Sequence, residues 1–254
     1  MTALGIFGAA GRMGQAIAAS VNESGATIAG GVDRSATDQA IAGHSIGADA
    51  LALAQISDVL IDFSAPAALA VHLNAAIHCG KPVVIGTTGL EDEHHRMIDE
   101  AALKIPVLQT GNTSLGVNLL AALVKDAASR LGDDWDIEIV EMHHRHKVDA
   151  PSGTALLLGR AAAEGRGVDL DAVKVSGRDG ITGARQPGTI GFAALRGGSV
   201  PGDHSVILAT EGESVTLSHR AENRSIFARG AIKAALWLKD QPAGRYDMTH
   251  VLGL

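Results

Sequence analysis

The sequence predicts an α/β protein, with a parallel sheet in its amino-terminal half and a second, α+β domain built on a mixed sheet. Three observations carry this. Short apolar runs alternate with helical patterns as far as Leu108, which is the signature of strands joined by crossover helices. A glycine-rich turn links the first apolar run to the first helical pattern. Beyond Leu131 the alternation stops, and longer strands rich in β-branched residues take over.

In order, Ala3–Phe7 is the first expected strand, followed by a helix over Arg12–Glu23 that Gly25 closes. Ala26–Val32, Val59–Phe63, Pro82–Ile85 and Pro106–Leu108 are apolar enough to be buried on both faces, as strands of a parallel sheet are. Pro66–His78 and Glu91–Leu103 read as the helices between them, with Pro66 suited to a first helical position. Thr37–Gln55 shows no clear period. In the second half Asp136–His143 reads as a strand, Thr154–Glu164 as a helix and Ser176–Gly188 as a polar loop. Thr189–Leu195, Ser205–Ala209 and Ser214–His219 read as strands, the last two joined by a Thr210–Gly212 turn. Ser225–Lys239 is the final helix, with Ser225 placed as its N-cap.

Composition narrows the function. The 254 residues carry 21 basic and 28 acidic side chains, a net charge of −7, with one Tyr, two Trp and four Phe. Such a chain has neither the basic field nor the stacking platforms of a nucleic-acid binder. The lone Cys79 excludes an internal disulfide and reads as a small buried hydrophobe. Met1–Gly5 has no basic leader pattern, and no apolar run approaches the roughly 20 residues of a membrane span, so the expected location is the cytoplasm, away from membranes.

The first motif is Gly8-Ala9-Ala10-Gly11-Arg12-Met13-Gly14, which follows a strand and opens a helix. Glycines there let the backbone approach a pyrophosphate, and the helix start aims amide dipoles at it. Its spacing is a variant of the commoner dinucleotide pattern and is weak on its own, but it stands where a Rossmann-like unit requires it. Asp33 closes the second strand, 19 residues after Gly14, where an acidic residue receives the adenosine ribose hydroxyls. Arg34 follows and suits a 2′-phosphate, so the pair favours NADH while tolerating NADPH. The rival reading is a structural turn beside a solvated ion pair. Gly86-Thr87-Thr88-Gly89 and Thr110-Gly111-Asn112-Thr113 end two more strands on the rim where ligands bind. Each could line a nicotinamide pocket or be a plain turn. Asp62–Pro66, at another strand end, reads as structural.

The second motif lies within Glu138–Ala155. Five consecutive residues, His143 to Lys147, are cationic or can become so, a local inversion in an acidic chain that favours an anionic small ligand. Pro151-Ser152-Gly153-Thr154 then leads into a helix whose first-turn amides, with the Thr154 hydroxyl, suit a carboxylate. Lys147 is a ready proton donor for a product that gains charge from a hydride, and a nearby imidazole works in either direction near neutral pH. Bland readings exist for each: His143 as a satisfied half-buried histidine, Arg145 and His146 as solvated, Asp149 as a partner of Lys147. A metal site is disfavoured, because adjacent histidines on an extended chain point apart and no Cys or acidic spacing supports them.

Glu138–Ala155 resembles the signature of the bacterial 4-hydroxy-tetrahydrodipicolinate reductase family, long called dihydrodipicolinate reductase. The pattern is a Glu and a His, three residues, Lys147, then Asp149-x-Pro151-Ser152-Gly153-Thr154-Ala155. The likeness extends to Gly8–Gly14, Gly86–Gly89, Thr110–Asn118, Ser176–Gly191 and Arg196–His204, so to nearly the whole chain. It implies an NADH- or NADPH-dependent reduction, in lysine and diaminopimelate biosynthesis, of a cyclic substrate with two carboxylates. By the same resemblance His143 is the proton donor and acceptor and Lys147 the second proton donor. His144, Gly153 and Thr154 bind substrate. Gly8, Ala9, Ala10, Gly11, Arg12, Met13, Asp33, Arg34, Gly86, Thr87, Thr88, Thr110, Gly111, Asn112 and Thr113 meet the cofactor. The resemblance further implies a dinucleotide-binding domain of residues 1–112 plus 222–254, a substrate-binding and oligomerisation domain of residues 113–221, and a homotetramer. Two rival functions stand beside this one: a nicotinamide-dependent dehydrogenase of another carboxylate, and a non-catalytic dinucleotide sensor.

Overall fold

A computed structural model describes residues 1–36 and 38–254. The chain divides into two compact units, Met1–Leu115 with Ser225–Leu254, and Gly116–Arg224.

In the first unit the expected elements form with small shifts at their ends. β1 (Thr2–Phe7) runs through the glycine turn into α1 (Arg12–Ser20), which ends in a short 3₁₀ turn rather than continuing to Glu23. β2 (Ala26–Val32) follows. The stretch without a period, apart from Thr37, which lies outside the described residues, contains β3 (Ala40–Ile41), β4 (His44–Gly47) and α2 (Ala50–Ile56). Asp49 caps α2, its Oδ1 accepting from Leu51 N and Ala52 N. β5 (Val59–Asp62) leads through a 3₁₀ turn at Pro66–Ala68 to α3 (Leu69–Cys79). β6 (Val83–Ile85), α4 (Asp92–Ala102) and β7 (Pro106–Gln109) complete the alternation. The strand order is β7-β6-β5-β1-β2-β4-β3, parallel throughout except for the β3–β4 hairpin.

α5 (Leu115–Leu131) carries the chain into the second unit. There β8 (Asp136–His143), α6 (Gly153–Gly165), α7 (Leu170–Val173), β9 (Lys174–Ser176), β10 (Ile190–Arg196), β11 (Gly202–Thr210) and β12 (Glu213–Ala221) follow in order. The sheet runs β12-β11-β8-β10-β9. It is mixed: β8, β10 and β9 are parallel, whereas β11 runs antiparallel to both β8 and β12. α8 (Ser225–Leu238) then returns to the first unit, taking in Ser225 as its first residue rather than as its cap. β13 (Gly244–Tyr246) adds a parallel edge beside β7, and α9 (Met248–Leu252) ends the chain.

The cores follow from the composition. With few aromatics available, Leu4, Ile6, Val59, Ile61, Val84 and Leu108 fill one face of the first sheet against the small side chains Ala228, Ala231, Ala234 and Ala235 of α8. Fully burying one such aliphatic residue contributes about 1.5–3 kcal/mol. A Cβ on Gly230 would collide with the carbonyl of Thr113, so α8 reaches its seat only because that position is glycine. In the second unit Ile137, Ile139, Leu158, Ala162, Val206 and Leu208 make a separate core between the sheet and its helices.

Candidate active site

The first unit holds a cavity of about 330 Å³ at the carboxyl ends of its strands. Gly8, Gly11, Asp33 and Arg34 line it, together with Val32, Ser35, Phe63, Ser64, Ala65, Ala68 and His72. The glycine turn is shaped by sterics. Gly8 has φ +76°, and a Cβ there would lie 2.5 Å from the carbonyl oxygen of Phe63. Its N–H donates to Val32 O at 2.9 Å, which ties the turn to the end of β2. Asp33 Oδ2 accepts from Ala10 N at 3.3 Å, while Oδ1 accepts from the amide and hydroxyl of Ser35. Burial works to raise the Asp33 pKa. The bonds from Ser35 and Ala10, with the charge of Arg34, outweigh it and hold the carboxyl below its ordinary value.

Asp62–Pro66, read above as structural, proves to line this cavity through Phe63, Ser64 and Ala65. Its anchor is Asp62, 1% exposed, which accepts from Ser64 N, Ser64 Oγ and Thr87 Oγ1. His72 Nδ1 lies 2.8 Å from the other carboxylate oxygen, and its ring stacks on Phe7 at 3.9 Å. One buried carboxylate thus joins two loops of the rim. The other expected cofactor residues are not among those that line the cavity. Ala9 is fully buried, Arg12 is exposed, and Met13 is half-buried in the first turn of α1. Gly86 is packed against the Phe63 ring, Thr87 is turned onto Asp62, and Thr88 is exposed. Thr110 Oγ1 closes a small turn with Asn112, Gly111 is exposed, and buried Thr113 donates to Phe227 O at 2.7 Å.

The second unit builds its cluster from strand register. Along β8, alternation puts Ile137, Ile139, Glu141 and His143 on the buried face. Arg196 of β10 pairs in register with His143, and His204 of β11 pairs with Glu141. An apolar face therefore ends in four polar side chains, of which the sequence reading singled out only His143. Glu141 is 1% exposed. Its Oε2 lies 2.6 Å from His143 Nδ1, and Arg196 grips both oxygens at 2.8 and 2.9 Å. Ser152 N donates to Oε1 at 3.1 Å. Burial acts to raise the Glu141 pKa, but the bonds from Arg196 and His143 lower it further, so the carboxylate stays charged.

The loop from β8 to α6 carries the other expected residues. Lys147 Nζ pairs with Asp149 Oδ1 at 2.8 Å, and Arg196 Nη2 donates to Asp149 O at 2.6 Å. His144 Nε2 stands 3.3 Å from Arg224 Nη2. Desolvation, followed by the charges of Arg224, His146, His143 and Lys147, lowers the His144 pKa. Gly153 is exposed and Thr154 half-buried at the start of α6. The first-turn amides are not all open to a ligand, because Ser152 Oγ accepts from Ala155 N at 3.1 Å as the cap. Ser152 Oγ also bonds His204 Nε2 at 3.0 Å. His204 is 4% exposed, its Nδ1 has no partner among the described residues, and its ring meets that of His143 edge-on at 5.0 Å. Burial first, and then the His143 charge, brings its pKa down to about 4. Among the described residues one close trio of potential metal ligands occurs, Glu91, Glu93 and His94, and it includes none of the histidines at 143–146. Among the described residues no helix is long and apolar enough to cross a membrane.

A parallel sheet with a glycine-turn cavity at its carboxyl edge, followed by a unit that groups imidazoles and an ammonium near a helix start, defines a dinucleotide-dependent oxidoreductase. Residues 2–113 match the family described as dihydrodipicolinate reductase, N-terminus, and residues 116–252 match its C-terminus. The chain is 59% identical over 253 residues to a Zymomonas mobilis protein named 4-hydroxy-tetrahydrodipicolinate reductase, covering 99% of this chain and 97% of that one. It is 54% identical to a protein of the same name from Parvibaculum lavamentivorans, covering 98% and 97%. The structure of a dipicolinate-bound dihydrodipicolinate reductase from Paenisporosarcina sp. TG-14 superposes with a TM-score of 0.76 at 23% identity, over 97% of each chain. The chain belongs to the dihydrodipicolinate reductase family and is an NAD(P)H-dependent oxidoreductase.

Proposed function

We propose that this chain reduces 4-hydroxy-tetrahydrodipicolinate to tetrahydrodipicolinate, with His143 and Lys147 as its proton-handling groups. Family membership over both halves of the chain supports the reaction. The observation that carries the residue roles is the bond between His143 Nδ1 and the buried Glu141 carboxylate. It fixes a proton on Nδ1 and leaves Nε2 as the working nitrogen.

The cavity at Gly8–Gly11 fits a dinucleotide. Its glycine turn lines the cavity at Gly8 and Gly11 where a pyrophosphate would sit, Asp33 stands ready for ribose hydroxyls, and Arg34 offers a cation to a 2′-phosphate. The residues at Gly8–Met13, Asp33, Arg34, Gly86–Thr88 and Thr110–Thr113 hold NADH or NADPH in this reading. When bound, the reduced nicotinamide supplies the hydride. Lys147 and His143 supply the proton that balances it as the 4-hydroxyl leaves as water. His144, Gly153 and Thr154 take the carboxylates of the cyclic substrate, helped by the positive end of α6. The second unit binds substrate and joins four copies into a tetramer, and the enzyme works in the cytoplasm.

A steady-state assay decides the reaction. Purified chain with either reduced cofactor and the cyclic substrate should lose nicotinamide absorbance. Cofactor binding without turnover would refute the enzyme reading and favour a dinucleotide sensor. Turnover with a different carboxylate only would refute the substrate.

A further inference from the structure

We propose that Glu141 is the positioning residue of the second unit's cluster, one carboxylate that sets both the tautomer of His143 and the place of Lys147. The inference rests on the reading of those two residues as proton-handling groups. The two arms run through different atoms. The first is direct: Glu141 Oε2 sits 2.6 Å from His143 Nδ1. The second runs through Arg196, whose guanidinium grips both Glu141 oxygens and donates to the carbonyl of Asp149. Asp149 in turn holds Lys147 Nζ at 2.8 Å. A third bond, from Ser152 N to Oε1, ties the same carboxylate to the start of α6.

A plain structural ion pair explains this arrangement poorly. A buried pair gains little over well-packed apolar residues, because both charges lose their hydration. Apolar residues fill the two positions on this face that precede Glu141, Ile137 and Ile139. Geometry also accounts for the acid. An Asp would be one methylene shorter, whereas Glu at this register reaches the imidazole two residues on, the guanidinium of the neighbouring strand and the amide of the following loop. All of its strong acceptor sites are used. The arrangement repeats a general device, in which a carboxylate on the far nitrogen of an imidazole selects the tautomer that can react.

The test uses the full chain carrying Glu141→Gln. Nitrogen NMR on labelled histidine reads the His143 tautomer without substrate. The wild-type ring should carry its proton on Nδ1, and the variant should shift toward a mixture. Turnover should fall at least about 10-fold, the lower end of the loss known when the outer partner of a metal-ligating histidine is removed. The KM for the reduced cofactor should stay within about twofold. An unchanged tautomer, or turnover within about threefold of wild type, overturns the proposal. Should this variant fail to fold, Arg196→Lys decides: it keeps the charge but loses the fork and the reach to Asp149. A fall of about tenfold in turnover with unchanged cofactor KM supports the proposal, and wild-type turnover overturns it. If the wild-type chain itself does not reduce the substrate, the proposed reaction fails, while the tautomer shift still reports the hold of Glu141 on His143.

Discussion

His204 makes the second unit sensitive to acid, and the size of the effect follows from its surroundings. Its ring is 4% exposed, Nε2 is engaged by Ser152, and Nδ1 faces no acceptor among the described residues. A second proton would therefore enter a site with nothing to receive it, beside the ring of His143. The native pKa lies at about 4, against an ordinary 6.5. Below pH 6.5 the unfolded chain takes up a proton that the folded chain refuses, so stability falls as pH drops toward 4 and then levels off. At about 1.4 kcal/mol per pKa unit, the loss is about 2 kcal/mol at pH 5 and about 3 kcal/mol at pH 4. His204→Gln keeps an amide near the Ser152 hydroxyl and cannot titrate. Urea unfolding should be followed by the fluorescence of Trp135, which lies in the core of the second unit. Between pH 7 and pH 4 wild type should lose about 3 kcal/mol more than the variant. Parallel pH–stability curves would refute the reasoning.

Three other outcomes are expected. Asp33→Ser removes the carboxylate beside Arg34 and should move cofactor preference toward NADPH; an unaltered ratio of kcat/KM for the two cofactors would show that Asp33 does not meet the ribose. Lys147→Met should lower kcat far more than it weakens cofactor binding by titration, and near-normal turnover would remove Lys147 from proton transfer. Ser152→Ala deletes the α6 cap and the partner of His204 Nε2 together. It should cost about 2–4 kcal/mol in denaturant unfolding, a sum of cap loss and an unsatisfied buried nitrogen, and a loss under about 0.5 kcal/mol would contradict the geometry.

The strands of the first sheet were legible because residues such as Val59–Ile61 and Val83–Ile85 are apolar on both faces, which only a doubly covered strand tolerates. The β3–β4 hairpin escaped notice because strands of two and four residues are too short to display a period. α5 escaped for another reason. Val117, Leu120 and Val124 form its buried stripe, but Leu119 and Leu123 stand exposed at 42% and 48%, so apolar residues occupy both faces and blur the pattern. At the cluster, the run His143–Lys147 was visible as charge. Glu141 was within reach of the same reading, since a strand puts residues two apart on one side. Arg196 and His204 were not: they arrive on two other strands, by a register that no local stretch encodes. Nothing local in Asp62–Pro66 tells that this structural turn also lines a cavity, because a turn that lines a cavity and a turn that merely reverses the chain use the same residue types.

The seat of α8 has a bearing on how the molecule is made. Its alanines close the core over β5 and β6, yet they are translated after the entire second unit. The ribosome thus releases a continuous stretch, Gly116–Arg224, that holds all of its own core, while the earlier-born sheet waits for its lid. The middle of the chain can mature first, and the amino-terminal sheet, with the cavity at its edge, reaches its final packing only after α8 emerges.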